Sequence, residues 1–198
     1  LVRPGGKLKS GRVVQVSDDL AIEILKILPD GNRLVRLVSE DTVENLLNKH
    51  GRMPLPPYLN REDEAIDRER YQTVYSKHIG SVASPTAGLH FTTELLDSID
   101  RKGVQRVPVT LDVGVGTFRP VDSTHLENHH MHKEKYTVPD TTATIINKAK
   151  SEGRRIWAVG TTVVRTLESA GNRGVVRPGP GETDLFIRPP RKCVVVDG

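Results

Sequence analysis

Apolar positions in the first forty residues come in three short runs, at 13–16, 21–28 and 34–38. Residues 29–32, Pro-Asp-Gly-Asn, separate the last two runs. Proline presets φ there, and glycine and asparagine tolerate positive φ, so this tetrapeptide predicts a tight turn. Short strands joined by turns are typical of antiparallel barrels and sandwiches. We therefore predict that residues 1–48 form part of a small antiparallel β-barrel domain.

The hydrophobic pattern changes after the third run. Residues 42–50 predict a short helix with Asp41 as its N-cap. Residues 53–58 then hold three prolines in four positions, which exclude a helix. The domain boundary is therefore predicted between about 39 and 52, and residues 49–198 are assigned to a second domain.

Helical and strand patterns alternate through this second domain. Helices are predicted at 64–76, 92–100, 141–152 and 161–169, and strands at 104–113, 156–159, 185–187 and 194–196. Such alternation indicates an α/β fold.

Composition indicates a globular protein, because 36% of the 198 residues are apolar and 27% are charged. The sequence contains no run of eighteen apolar residues, so we expect no membrane span. Cys193 is the one cysteine, which excludes an internal disulfide and is compatible with a reducing cytoplasm. The sequence begins at Leu1, which leaves open a leader before it.

The net charge is +4 and the isoelectric point about 9.3. A basic surface attracts phosphate backbones by releasing their counterions. Charge alone is equally typical of a mildly basic soluble protein without a nucleic-acid partner.

A loop rich in small residues, 80–92, ends with His90 just before a predicted helix. Small residues let backbone approach a ligand closely, and histidine can carry a proton near neutral pH. A packed turn with a capping histidine explains the same residues.

Two glycines, Gly114 and Gly116, follow a predicted strand and precede Thr117. The helix that a dinucleotide site needs is excluded, because residues 118–120 are Phe-Arg-Pro. We therefore exclude a Rossmann fold.

Four of the seven histidines lie within eight residues, between His125 and His132. His129, His132 and Glu134 have side chains suited to metal binding or to proton transfer. HExxH and a cysteine partner are both missing, which argues against a metal site. A solvated polar loop is the common alternative, and a phosphate or nucleobase contact is the third.

A short apolar run leads into Thr161 and Thr162, which are predicted to cap a helix. Free N–H groups at a helix start bind anions, and Arg165 could add a bidentate contact. Alternatively, Arg165 pairs with Glu168 or Glu182.

Together, these segments resemble the S-adenosylmethionine:tRNA ribosyltransferase-isomerase family of queuosine biosynthesis. The similarity covers nearly the whole chain. Six motifs in the same order carry it, at residues 53–58, 67–75, 85–92, 114–121, 129–134 and 158–169. Residues 1–8 and 183–187 also match the family.

The resemblance implies an α/β main domain and a small β-barrel domain, in agreement with the predicted boundary. It also implies further residues before Leu1 and after Gly198, so we expect this chain to be an incomplete enzyme. Asp112 stands where the family has histidine, and Glu182 where it has an aromatic residue. The change at Asp112 is expected to weaken the active site.

The family's reaction moves and rearranges the ribosyl group of S-adenosylmethionine onto 7-aminomethyl-7-deazaguanine at the tRNA wobble position. The products are epoxyqueuosine-tRNA, adenine and methionine. The sulfonium acidifies the 5′ carbon and acts as the electron sink, so no metal and no cofactor beyond this substrate is expected.

The reaction requires proton carriers, a substrate pocket and a tRNA surface. The resemblance assigns proton transfer to His90, His132 and Glu134. It assigns S-adenosylmethionine to Gly114, Gly116, Thr117, Thr161, Thr162 and Arg165. It assigns tRNA phosphates to Arg68, Arg70 and Lys77.

We expect a cytoplasmic monomer whose partners are S-adenosylmethionine and tRNA. One alternative is a metal-dependent hydrolase built on the histidine cluster, which metal analysis would reveal. The other is a non-catalytic RNA-binding module. Turnover by the full-length protein, together with RNA binding but no turnover by this chain, would support it.

Overall fold

A computed structural model describes residues 5–29, 31–56, 59–78, 80–114 and 133–198. The chain divides into two compact units, Leu1–Met53 and Pro54–Gly198. The assignment of residues 1–48 to a barrel domain and 49–198 to a catalytic domain stays a prediction. Within the described ranges, every helix is too short or too polar to cross a membrane.

The first unit contains a three-stranded antiparallel sheet. Its strands are β1 (Val13–Ser17), β2 (Leu20–Ile27) and β3 (Arg33–Val38), in that order. Gly31 has a φ of +81°, as the predicted turn requires. The three predicted strands are therefore confirmed, whereas residues 5–29 and 31–53 form no closed barrel.

Helix α1 (Val43–His50) follows the sheet and begins one residue later than the predicted cap implies. Thr42 is the N-cap, and its hydroxyl accepts a hydrogen bond of 3.2 Å from Asn45 N. Asp41 instead accepts from Thr42 N and Asn45 Nδ2, each at 2.7 Å. Asp41 therefore supports the helix start from one position further out.

The second unit mixes helices with small antiparallel sheets. Its helices are α2 (Asp67–Arg70), α3 (Thr93–Arg101), α4 (Asp140–Ser151) and α5 (Thr161–Ala170). Its strands are β4 (Thr110–Asp112), β5 (Glu134–Val138), β6 (Gly171–Asn172), β7 (Val175–Val176) and β8 (Gly179–Thr183). Antiparallel pairing gives the sheets β4-β5-β8 and β6-β7.

The hydrophobic core of this unit lies between α4, α5 and the segments around them. Its buried side chains are Val138, Ala143, Ile146, Leu167, Ala170, Val176 and Val195. The apolar faces of α4 and α5 supply most of these residues, so the core fixes the position of α5.

The predicted helix at 64–76 is wrong in length, because only Asp67–Arg70 is α-helical. Within α2 only Asp67 is buried, and none of its four residues, Asp-Arg-Glu-Arg, has an apolar side chain. Tyr71, with φ −89° and ψ 36°, leaves the helical conformation.

The predicted strands of this unit are largely wrong. Residues 104–109, 156–159, 185–187 and 194–196 form none. The 156–159 segment is not a buried strand: Trp157 is 68% exposed, and the backbone bonds instead to residues 197–198. Strands β5 and β8 were not predicted, since they depend on pairings between distant residues, such as Glu134 with Thr183.

Candidate active site

Helix α5 lies at the centre of the candidate site, because it contacts β4, β5 and β8. Its N-cap is Gly160, with φ of +92°, and no side chain caps it. The prediction that Thr161 or Thr162 caps the helix is therefore wrong, because both residues lie in its first turn. Val163 N and Val164 N donate to Gly160 O, whereas the amides of Thr161 and Thr162 have no carbonyl partner within the helix, so this end remains suited to an anion.

The small-residue loop lies beside the start of α5. A Cβ built on Gly160 would be 3.6 Å from Ala87 Cβ, within the 3₁₀ helix Thr86–His90. His90 ends that short helix, and its Nδ1 lies 3.4 Å from Ala87 O. The loop that ends at His90 therefore lies beside Gly160, the residue before Thr161, and His90 itself is exposed.

Gly88 shows what the small residues of this loop accommodate. A Cβ on Gly88 would overlap the Tyr75 hydroxyl and lie 2.9 Å from Thr73 Cγ2. Partial burial raises the pKa of Tyr75 above its ordinary value. The close approach at Gly88 is therefore made by protein atoms, as the packed-turn alternative expects.

The loop is anchored to β4 through Ser81. The Ser81 hydroxyl donates to Leu111 O and accepts from Val113 N, each at 2.9 Å. Asp112 lies at this junction, with Oδ1 2.9 Å from a Cβ built on Gly80. Asp112, which stands where the similar family has histidine, therefore lies next to Gly80, the first residue of the small-residue loop.

Arg165 and Glu134 form a buried ion pair between α5 and β5. Arg165 Nη1 donates to Glu134 Oε2, and Nε donates to Leu185 O at 3.0 Å. Their side chains are 13% and 6% exposed. The alternative pairing of Arg165 with Glu168 or Glu182 is wrong, because Glu134 takes that position.

Arg165 Nη2 is buried and has no hydrogen-bond partner among the described residues, and the same is true of Ser84 Oγ in the small-residue loop. A buried donor without a partner costs about 1–3 kcal/mol. A bound group that accepts from Arg165 Nη2 would remove this cost.

The sequence model of the family described as queuosine biosynthesis protein matches residues 1–198. The chain belongs to this family. The resemblance seen in the sequence is therefore confirmed.

Relatives of the queuosine biosynthesis family include enzymes named S-adenosylmethionine:tRNA ribosyltransferase-isomerase. That of Desulfitobacterium hafniense is 50% identical over 200 residues, covering 100% of this chain and 58% of the relative. The enzyme of Natranaerobius thermophilus is 50% identical over 199 residues, which cover 100% of this chain and 57% of the relative. The chain thus spans less than two thirds of the length of these relatives.

A solved structure is also similar to this family member. It is the crystal structure of S-adenosylmethionine tRNA ribosyltransferase from Thermotoga maritima, 31% identical, with a TM-score of 0.44. The match covers 100% of this chain and 51% of that one.

The predicted tRNA contacts of this family member lie on the surface of its second unit. Arg68, Arg70 and Lys77 are exposed. Beside them, the two terminal nitrogens of Arg61 each donate to Asp67 at 2.7 Å. The Arg61 guanidinium holds the pKa of Asp67 at about 2. This pair fixes the short helix that carries two of the candidate arginines.

Several predicted site residues lie outside the described residues, namely Gly116, Thr117, His129 and His132. Gly114 is described and exposed. The described residues contain no group of three His, Cys, Asp or Glu side chains arranged to hold a metal ion. Because the histidine cluster is not described, the expected lack of a metal stays a prediction.

Glu168 is a structural residue whose role the sequence analysis missed. Its carboxylate accepts from Val194 N and Val195 N at 2.9 Å and from Val196 N at 3.1 Å. Glutamate within an amphipathic helix gives no signal of such bonds, because most charged helix residues face solvent.

Proposed function

We propose that this chain is part of an enzyme that transfers and isomerises the ribosyl group of S-adenosylmethionine. The acceptor is 7-aminomethyl-7-deazaguanine at the tRNA wobble position, and the products are epoxyqueuosine-tRNA, adenine and methionine. The observation that carries the proposal is 50% identity, over the whole chain, to relatives named for this activity. Residues 1–48 belong to a small β-barrel domain and 49–198 to the catalytic domain of a cytoplasmic monomer.

The start of α5 holds the methionine carboxylate of S-adenosylmethionine. Support comes from the first-turn amides of Thr161 and Thr162, which have no partner within the helix. Arg165 adds a buried Nη2 without a partner among the described residues. Together these donors match the two oxygens of a carboxylate. Gly114, Gly116 and Thr117 contact the nucleoside.

Proton transfer falls to His90 and His132. A base removes the 5′ proton that the sulfonium acidifies, and adenine departs with its bonding electrons and a proton. The acceptor amine then attacks the ribosyl skeleton, and closure of the epoxide expels methionine. The loop that carries His90 lies beside Gly160, the N-cap of α5, which supports this role.

The direct experiment is mass spectrometry of the wobble nucleoside after incubation of the full-length protein with S-adenosylmethionine and precursor tRNA. We expect the mass of epoxyqueuosine and release of adenine. Binding of tRNA without either product would contradict the proposal and favour an RNA-binding module.

Variants test the assigned roles in the same assay. Arg165→Ala should raise the KM for S-adenosylmethionine and leave tRNA affinity unchanged, whereas the exposed Arg177→Ala should alter neither. If tRNA affinity falls while that KM stays constant, the carboxylate assignment is wrong.

The histidines are tested by turnover. His132→Ala and His90→Ala should each lower kcat by about 10²–10⁴-fold with little change in S-adenosylmethionine binding. The exposed His78→Ala serves as the matched control. An unchanged rate removes the substituted histidine from the mechanism.

A further inference from the structure

Two of the three guanidinium nitrogens of Arg165 are held by the protein. Nη1 donates to Glu134 Oε2, and Nε donates to Leu185 O at 3.0 Å. The third nitrogen, Nη2, is buried and has no partner among the described residues. A planar guanidinium fixed at two nitrogens has a fixed direction for the third.

Glu134 is itself held rigidly. It is the first residue of β5, opposite Thr183 of β8, and its side chain is 6% exposed. Removing either member of a buried pair leaves an uncompensated charge, which is strongly unfavourable. The position of the Arg165 guanidinium therefore depends on Glu134.

A proton carrier in this position would work poorly. A proton on the Glu134 carboxylate would remove its charge and so weaken its bond to the Arg165 guanidinium. In addition, Glu134 Oε2 already accepts from the Arg165 guanidinium, so a proton on this oxygen would displace that bond. Both points oppose the acid–base role that the resemblance assigned to Glu134.

We propose that Glu134 is a positioning residue that directs Arg165 Nη2 at the carboxylate of S-adenosylmethionine and takes no part in proton transfer. This inference rests on the proposed function. It predicts that Glu134 affects the reaction solely through Arg165.

A double-mutant cycle in the full-length protein tests that dependence. Glu134→Ala should raise the KM and the calorimetric Kd for S-adenosylmethionine by about 10–100-fold, the scale of one charged hydrogen bond. The kcat should change by less than about threefold. Adding Glu134→Ala to Arg165→Ala should then cause no further loss of affinity.

A conservative variant guards against misfolding. Glu134→Gln keeps an oxygen for Arg165 Nη1 and should recover most of the affinity, with an unaltered pH profile of kcat. The matched control is Glu182→Gln, an exposed acid on β8 of the same sheet, which should behave as wild type.

The opposite pattern would overturn the inference. Glu134 is a proton carrier if Glu134→Gln lowers kcat by about 10²-fold or more and removes one limb of the pH profile of kcat. The same loss should then appear when Glu134→Gln is combined with Arg165→Ala. Additive losses of affinity in the cycle would also reject the positioning role.

The binding measurement separates this inference from the proposed function. A wild-type protein that binds S-adenosylmethionine with Glu134 and Arg165 coupled, but forms no modified nucleoside, contradicts the proposed function alone. Lack of any binding contradicts both.

Discussion

At the scale of single residues, Gly88 is the described glycine at which an added Cβ would meet the closest neighbour. An alanine there would overlap the Tyr75 hydroxyl and crowd Thr73 Cγ2. We expect Gly88→Ala to lower the free energy of unfolding by about 1–3 kcal/mol, the usual cost of overpacking. Urea unfolding of the purified protein measures this change.

Two further variants isolate the cause. Gly6→Ala introduces a methyl group with nothing within 4 Å and should be neutral. Tyr75→Phe in the Gly88→Ala background removes the overlapping oxygen and should restore part of the stability. Equal destabilisation by both glycine variants would rule out the clash.

Asp67 gives stability a defined dependence on pH. Its folded-state pKa is lowered from 3.8 to about 2, first by Arg61 and then by the Glu64 N–H, which donates at 2.7 Å. A carboxyl with a depressed folded pKa stabilises the protein above its unfolded pKa and loses that effect as pH falls through the folded value.

Asp67→Asn should therefore lower the urea midpoint at pH 7, and its difference from wild type should shrink between pH 3.8 and about 2. Glu69→Gln, an exposed acid on the same helix, is the control. A difference that stays constant over this range would show that the ion pair is not its source.

Individual site residues were predicted unevenly from the sequence. The anion-binding role of Arg165 stays a prediction. Its partner was not predicted, because Glu134 is 31 residues away along the chain and reaches Arg165 through β5. The Thr161 and Thr162 caps were predicted from residue type. Gly160, whose positive φ lets the chain enter the helix, is the actual cap.

At the scale of elements, Glu168 joins α5 to residues 194–196. Both carboxylate oxygens accept backbone N–H groups. Glu168→Gln has one acceptor oxygen in place of two and must turn an NH₂ group toward at least one of those donors. We expect a loss of at least about 2 kcal/mol in the free energy of unfolding.

Hydrogen exchange provides the local readout for this variant. Amide protection at Val194, Val195 and Val196 should fall more than protection within α4. Glu152→Gln, an exposed acid paired with Arg154, should leave both unchanged. Retained protection at Val194–Val196 would show that Glu168 does not hold this segment.

Local sequence signals predicted most helices and failed for most strands of the second unit. Helices α3, α4 and α5 lie within about one residue of their predicted limits, because caps and glycine stops are local. Strand β8 has the sequence Gly-Pro-Gly-Glu-Thr, in which only Thr183 favours a strand, and it forms because β5 pairs with it.

At the scale of the whole molecule, the proposed tRNA substrate together with the net charge of +4 predicts salt-dependent binding of tRNA. Affinity of the full-length protein for precursor tRNA should fall steeply between about 50 and 200 mM salt. Substitution of Arg68, Arg70 or Lys77 by alanine should each reduce the slope by about 1, the value for a single neutralised phosphate.

Filter binding or fluorescence anisotropy over a salt series measures these slopes. Arg12→Ala, an exposed arginine of the first unit with no proposed role in tRNA binding, is the control. An affinity that does not change with salt would contradict a phosphate-binding surface. If the three alanine variants keep the wild-type slope, the surface does not include Arg68, Arg70 or Lys77.

The division into two units has a spectroscopic consequence. Every tryptophan, tyrosine and phenylalanine of the chain follows residue 53, so Leu1–Met53 contains no aromatic chromophore. Intrinsic fluorescence and near-ultraviolet circular dichroism therefore observe the second unit alone. Unfolding of the three-stranded sheet changes neither of these signals, but it is detected by far-ultraviolet circular dichroism of the backbone. Comparing the two kinds of melting curve thus separates the unfolding of the units without cutting the chain.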